Sequence, residues 1–315
     1  MSDNSPAVGD IVSGRYHIRR HIGRGGRGVV FAALDGSTGM EVAIKLTRYA
    51  GHKHMSELRT EAELTRQLSH DCLVPVLDSG EANEDHYFLV SKLVVGENLL
   101  AIVKRGRLSS ANAAAVCMRV ARAVSYLHEL SILHRDIKPG NILVPKIDDT
   151  FAFDLCVLLD FGVAVNCGNE PDANMRTASG VISGTPLYMA PEQFVGRRQS
   201  PATDVYALGL VLYECLYGAT PFADLPILRV MTQGGLLPKA FFGPFVTHRL
   251  TREIVIPEDP SIAPALASLL TRMLSIHPHD RPQSMHVILR ELHEWIPTAV
   301  SSVQLQNGTA ALTID

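Results

Sequence analysis

Residues 21 to 46 read HIGRGGRGVVFAALDGSTGMEVAIKL, and this stretch constrains the fold more tightly than any other. β-Branched and apolar runs, VVFAAL and EVAIKL, flank the turn formers DGSTG, which predicts strand, Gly-rich turn, strand, turn, strand. Gly23, Gly25 and Gly28 have the spacing G-x-G-x-x-G. In a dinucleotide-binding unit such glycines stand between a strand and a helix. Here a strand follows them, so they belong to a β-hairpin. Glycine at that place lets backbone amides approach a polyphosphate with no side chain in the way. The alternative that this stretch leaves open is a flexible surface hairpin.

At 315 residues and 46% hydrophobic, the chain has room for about two domains or lobes with packed cores. Its 29 basic and 32 acidic residues leave a formal charge of -3, so nothing favours nucleic acid or an anionic membrane as the main partner. Cys72, Cys117, Cys156, Cys167 and Cys215 are odd in number and form no C-x-x-C pair. That argues against a disulfide framework and a zinc site, and predicts reduced, mostly buried thiols in a cytoplasmic protein. MSDNSPAVGD lacks a signal pattern, and no apolar run reaches the ~18 residues that span a bilayer. The longest, VYALGLVLYECLYG from Val205 to Gly218, is broken by Glu214 and predicts a helix buried on most sides.

Residues 1–14 are expected to be a flexible lead. From Tyr16 to Leu93 the pattern is strand-rich, with one helix predicted at SELRTEAELTRQLSH (56–70) and a closing strand in HYFLVSKLV. From Gly96 helices dominate, and Val116, Val120, Ala123, Val124 and Leu127 recur at helical spacing. The expectation is a small β lobe over 15–93, a larger helical lobe over 97–296, and a tail over 297–315 without a strong helix pattern. A cleft between the lobes is where a ligand is expected.

ILHRDIKPGNILV, VLLDFGVAV, GTPLYMAPEQF and DVYALG follow in order. With these motifs the chain resembles a eukaryotic-like (Hanks-type) serine/threonine protein kinase of the kind found in bacteria, over about residues 14–296. The resemblance implies an α+β, bilobal protein-kinase fold with a small antiparallel β-sheet lobe carrying one helix, and a larger, mainly helical lobe. It implies transfer of the γ-phosphate of ATP to Ser/Thr hydroxyls of proteins, with Mg²⁺, or Mn²⁺ in its place. Lys45 of VAIK would meet the α/β-phosphates. Glu57, Glu61 and Glu63 all lie on the predicted helix, and the family's spacing selects Glu61 as the lysine's partner. Asp136 resembles the catalytic base, and Lys138 the Ser/Thr-class lysine that steadies the transferring phosphate. Asn141 and Asp160 resemble the metal ligands. Ile22 and the glycines Gly23, Gly25 and Gly28 would cover the nucleotide. Val30 and Ala43 above and Leu143 below would sandwich adenine, the backbone of Lys92 and Val94 would hydrogen-bond it, and Ser91 would be a small gatekeeper.

Further implied roles are structural or regulatory. Glu192 and Arg281 would form an ion bridge, Asp204 would anchor the catalytic loop, and His134 and Phe161 would pack beneath it. Arg135 would receive a phosphate on Thr177, Ser179 or Ser183, bringing Thr185 against the catalytic groups, with self-activation in trans through a homodimer. The chain departs from the family's pattern at Arg27, on the tip of the glycine loop, at Val165, where a second basic residue is common, and at Thr65, a polar residue in place of an apolar one, which predicts loose packing there. Two segments are long: VPKIDDTFAFDLCVL, and about 234–260, whose Phe241, Phe242 and Phe245 are either packed locally or exposed for a partner. The competing functions are a pseudokinase acting as a nucleotide-sensing scaffold and a small-molecule kinase; GTPLYMAPE, a platform for an extended peptide, speaks against the latter.

Overall fold

The strand-rich stretch predicted from Tyr16, joined by a short strand before it, forms a six-stranded antiparallel sheet. Strands β1 (Ile11–Val12), β2 (Tyr16–Gly25), β3 (Gly28–Asp35), β4 (Glu41–Arg48), β5 (Val76–Asn83) and β6 (His86–Lys92) lie in the order β1-β2-β3-β4-β6-β5. The computed structural model describes residues 6–25, 28–49, 51–159, 165–166, 186–225 and 239–306. They divide into two units: the chain up to Gly96 with Val157–Val163, and Glu97–Cys156 with the chain from Ala164 onward.

In the first unit one face of the sheet carries the core, where Ile18, Phe31, Val42, Ile44, Leu46, Phe88 and Val90 pack together. Cross-strand register fixes what the other face carries. Val30 pairs with Lys45 and Lys45 with Leu89, while Ala32 pairs with Ala43 and Ala43 with Ser91. Directly paired residues share a face. The alternation therefore presents Val30, Ala43, Lys45 and Ser91 together, all half-buried, opposite the core. The DGSTG turn is closed by Asp35, which accepts hydrogen bonds from Ser37 N, Ser37 Oγ and Thr38 Oγ1 and from the Arg15 guanidinium. Arg15 foremost holds the Asp35 carboxyl far below the usual carboxylate range.

Three expectations for this unit need correction. The lead is not free up to residue 14: Ile11 and Val12 pair with His17 and Tyr16, and Val12 is buried in the core. The helix, α1, spans Gly51–Arg66 rather than 56–70. It stops early because Gln67 N–H and Leu68 N–H turn to the carbonyls of Leu64 and Thr65, the tight bonding of a closing turn. Thr65 is not loosely held either. It is buried, and its hydroxyl donates to the Glu61 carbonyl at 2.7 Å, so the polar atom is satisfied within the helix.

The second unit contains α2 (Leu99–Val103), α3 (Ser110–Glu129), α4 (Pro191–Phe194), α5 (Pro201–Tyr217), α6 (Lys239–Thr251), α7 (Pro264–Met273) and α8 (Met285–Gln306). The five α3 residues predicted to share a face are all buried. Every α5 residue from Ala202 to Leu216 is buried, as the apolar run foretold. Pro201 starts α5, and Gly218, at φ 75°, ends it in the left-handed region. The long segment after Asn141 is a hairpin, Ile142–Ile147 with Thr150–Phe151, turned by Asp148 and Asp149 at φ 46° and 60°. Phe151 lies under Arg105 and Lys146. The backbone of α8 stays helical to Gln306, ten residues into the tail for which no strong helix pattern was evident. Cys72, Cys117, Cys156 and Cys215 are buried and form no disulfide, and Cys167 lies outside the described residues. Among the described residues no helix is long and apolar enough to cross a membrane.

Two outcomes test these packing arguments. Gly28 sits at φ 143°, and an added Cβ would stand 2.2 Å from the Leu46 carbonyl oxygen. Gly28→Ala should therefore lose roughly 3 kcal/mol of stability, read from urea unfolding. Glu214 is buried in α5 and accepts the Tyr188 hydroxyl at 2.6 Å; burial raises its carboxyl above the ordinary glutamate range. A carboxyl with a raised pKa stabilises the fold most below its unfolded pKa and loses that contribution as pH rises through the folded value. Glu214→Gln keeps an acceptor for Tyr188 but cannot ionise. Its stability relative to the unsubstituted chain should rise with pH from the ordinary glutamate range upward, then level off. A difference that is flat in pH would remove the titration assigned to Glu214.

Candidate functional site

The candidate residues fall into a set on the sheet of the first unit and a set in the loop after α3 of the second. In the first, the Gly-rich hairpin is formed by β2 and β3, with Gly23 opposite Val30 and Gly25 opposite Gly28; residues 26 and 27, and so Arg27, lie outside the described residues. A side chain at Gly23 would meet open space, whereas Gly28 is pressed against the Leu46 backbone. The Gly28 position therefore demands glycine for the hairpin itself, whatever lies beneath it. Ile22 is 42% exposed at the hairpin. Val30, Ala43, Lys45 and Ser91 share the open face, Lys92 is exposed at the end of β6, and Val94 follows half-buried. Of the three glutamates on α1, Glu57 and Glu63 are exposed and Glu61 is half-buried.

The second set is built on a short strand, Ile132–Leu133, paired with Val165–Asn166, and the loop that follows it. Arg135 stands at φ 62°, a left-handed conformation that costs a non-glycine residue about 1–3 kcal/mol and persists only where neighbours enforce it. Asp204, in the first turn of α5 and fully buried, enforces it. Its Oδ1 accepts Arg135 N–H at 2.8 Å, and its Oδ2 accepts His134 N–H at 2.9 Å and faces His128 Nε2 at 2.8 Å. Burial alone would push this carboxyl up. The bond to His128, the histidine charges and the backbone amides outweigh it and hold the pKa below the ordinary aspartate value.

Held this way, the loop presents Asp136, which is 9% exposed. Lys138 Nζ donates to both of its carboxylate oxygens, at 3.0 and 2.8 Å. Asn141 Nδ2 donates to the Asp136 carbonyl at 2.9 Å and to Oδ2 at 3.1 Å. With the amide nitrogen turned to Asp136, the Asn141 Oδ1 is the atom left to face a cation, the hard oxygen ligand that Mg²⁺ selects. The carboxylate is thus fixed by a cation and an amide, a setting that orients it to accept a proton from a hydroxyl. Leu143 follows half-buried on the next strand. Asp160, Phe161, Thr177, Ser179, Ser183 and Thr185 lie outside the described residues, as does the side chain of Val165.

Behind the loop, Glu192 and Arg281 form a buried bidentate pair at 2.9 Å. Thr203 Oγ1 donates to Glu192 while accepting Ser200 N–H, which joins the pair to the start of α5. The motifs did not single out His128, the third partner of Asp204. Its signal was faint: a histidine near the end of an amphipathic helix. The roles of Tyr188, Gln193 and Arg249 around the segment before α4 had no local signal.

Residues 16–296 match the family model described as "Protein kinase domain". Serine/threonine-protein kinase PknA of Mycobacterium tuberculosis is 38% identical over 234 residues, which cover 72% of this chain and 52% of that protein. Serine/threonine-protein kinase pkn3 of Myxococcus xanthus is 31% identical over 299 residues, covering 92% of this chain and 51% of the relative. Serine/threonine-protein kinase PknH of Mycobacterium bovis is 33% identical over 298 residues, 93% of this chain and 46% of the relative. The chain spans about half the length of these relatives.

Removing the anchor should unmake the loop. Asp204→Ala leaves two backbone amides and His128 facing a buried void, and should cost about 3–5 kcal/mol by urea unfolding. Asp204→Asn keeps one oxygen acceptor and should cost clearly less. Equal losses in the two variants would mean that packing, not hydrogen bonding, is what Asp204 contributes.

Proposed function

This chain belongs to the protein kinase family, and on that premise we propose that it transfers the γ-phosphate of ATP to serine and threonine hydroxyls of proteins. The observation that carries the proposal is the setting of Asp136, a carboxylate held from one side by Lys138 and from the other by Asn141. A hydroxyl brought to Asp136 loses its proton to an oriented carboxylate, and Lys138 stands within reach of the same acceptor to balance the phosphoryl charge. Asn141, through Oδ1, and Asp160 are the residues we assign to Mg²⁺. When bound, the ion neutralises phosphate charge. On the sheet, Lys45 is assigned to the phosphates with Glu61 to hold it, and Val30, Ala43 and Leu143 to adenine. Lys92 and Val94 offer backbone groups, while Ser91 leaves space beside them.

The pseudokinase alternative needs an adenine face but has no use for a buried carboxylate clamped by lysine and asparagine. For regulation we propose phosphorylation of Thr177, Ser179 or Ser183 with Arg135 as the receiving cation. Arg135 has its backbone fixed by Asp204 and its side chain half-buried.

Asp136→Asn should leave ATP affinity within about twofold and reduce phosphate transfer to a generic acceptor protein by at least ~10²-fold, the usual loss with a general base. Radiolabel transfer, with nucleotide binding measured separately by calorimetry, checks both halves. Transfer close to that of the unsubstituted chain would withdraw Asp136 from the role.

A further inference from the structure

Arg249, on α6, is the largest fully buried side chain among the described residues, at 2% exposure. Its guanidinium lies 4.0 Å from the ring centre of Phe222, 5.1 Å from Tyr206, and 5.9 Å from both Phe194 and Phe245. Phe245 is itself buried and meets Phe194 and Phe222 edge-on, so this part of the long 234–260 segment is packed locally. The carboxylate that acts on it electrostatically is already engaged. Glu192 gives both its oxygens to Arg281, whose guanidinium covers the Tyr206 ring at 4.7 Å. The cluster therefore holds two guanidinium groups and one carboxylate, and Arg249 Nε and Nη1 have no hydrogen-bond partner among the described residues.

A cation buried without an anion loses hydration that aromatic faces return only in part. Its directional contact shows what the position achieves: Nη2 donates to the carbonyl of Met189. Met189 lies in the irregular segment between Pro186 and α4, whose three consecutive residues are each held by a different side chain. The Tyr188 hydroxyl donates to Glu214, the Met189 carbonyl accepts from Arg249, and Ala190 N–H donates to Gln193 Oε1. Two of these holds come from neighbouring α4 and α5. The third comes from α6, in the long segment, 60 residues away along the chain.

We propose that Arg249 is a positioning residue for the acceptor protein: by fixing the Met189 carbonyl it sets the path of residues 186–190, the platform on which an extended peptide lies. The inference rests on the protein-kinase reading, in which GTPLYMAPE builds that platform. It makes α6 a determinant of acceptor affinity, acting through the backbone of a neighbouring segment and leaving the nucleotide machinery alone.

The test is steady-state kinetics on the full 315-residue chain with casein as acceptor, alongside ATP hydrolysis without acceptor. Arg249→Leu should raise the casein KM about tenfold, the scale of one hydrogen bond from a charged group. Its kcat, its ATP KM and its acceptor-free hydrolysis should change by less than about twofold. Arg249→Lys should recover part of the casein KM, because an ammonium can still donate to Met189. Should Arg249→Leu fail to fold, Phe222→Leu removes the nearest ring but keeps the donor, and should raise the casein KM about threefold with the same sparing of ATP. An unchanged casein KM overturns the proposal. So does a parallel loss of acceptor-free hydrolysis, which marks a merely structural role. Failure of the kinase reading shows separately: the unsubstituted chain would bind ATP and label no protein.

Discussion

The loop that carries Asp136 depends on one buried carboxylate. Asp204 accepts from two successive backbone amides and faces His128, and those bonds hold the chain where Arg135 stands at positive φ. The backbone reversal at Arg135 aims the next residue, Asp136, so that its carboxylate meets Lys138 and Asn141. An acceptor buried by α5 thus governs the geometry of a donor-rich loop some 70 residues earlier in the chain. Burial and hydrogen bonding act in opposite directions on its pKa, and the bonds prevail. The anchor is therefore charged in the folded state, which makes each of its bonds stronger than a neutral one.

Two buried arginines behind this loop show why a cation's donors matter as much as its charge. Arg281 spends all five N–H positions: two on Glu192 and three on the carbonyls of Ser275, Ala202 and Ile276. A pair so fully satisfied contributes less to net stability than to geometry, because desolvation offsets much of the attraction while any missing partner is severely felt. It ties α4 to the start of α5 and to the turn before α8. Arg249 shares the Tyr206 ring but has no carboxylate, and aromatic faces stand where Arg281 has acceptors.

The sheet was legible because period-2 alternation is a local property; Val30, Ala43, Lys45 and Ser91 were named by the resemblance alone, and it is the cross-strand register that puts them on one face. The loop from His134 to Asn141 was legible from its motif, which named the residues now seen bonded to one another. What escaped was set by partners distant in sequence. Val12 joins the core only because β2 offers it an edge, and α1 begins at Gly51 in a stretch, GHKHM, with no apolar period. Gly28 was read as a phosphate-approach glycine. Its tightest constraint is the Leu46 carbonyl, which lies on the next strand. Arg249 gave no signal, since an arginine in THRLTR reads as a solvated helix position until Phe245 of its own helix and three rings from three other segments close around it.

The interrupted hydrophobicity of α5 has a common explanation in these contacts. A helix buried on every side has no solvated face on which to place polar side chains, so each one must find a partner in the segments packed against it. Asp204 holds the loop that carries Asp136, Thr203 bonds Glu192 at the start of α4, the Tyr206 ring meets both arginines, and Glu214 takes the Tyr188 hydroxyl. The segments so bound are those with the least regular structure of their own: residues 134–141 and 186–190. Loops that lack a backbone ladder must satisfy their amides and carbonyls elsewhere, and α5 supplies the fixed acceptors and faces. Glu214, which made the run VYALGLVLYECLYG look broken, is by this logic required in it.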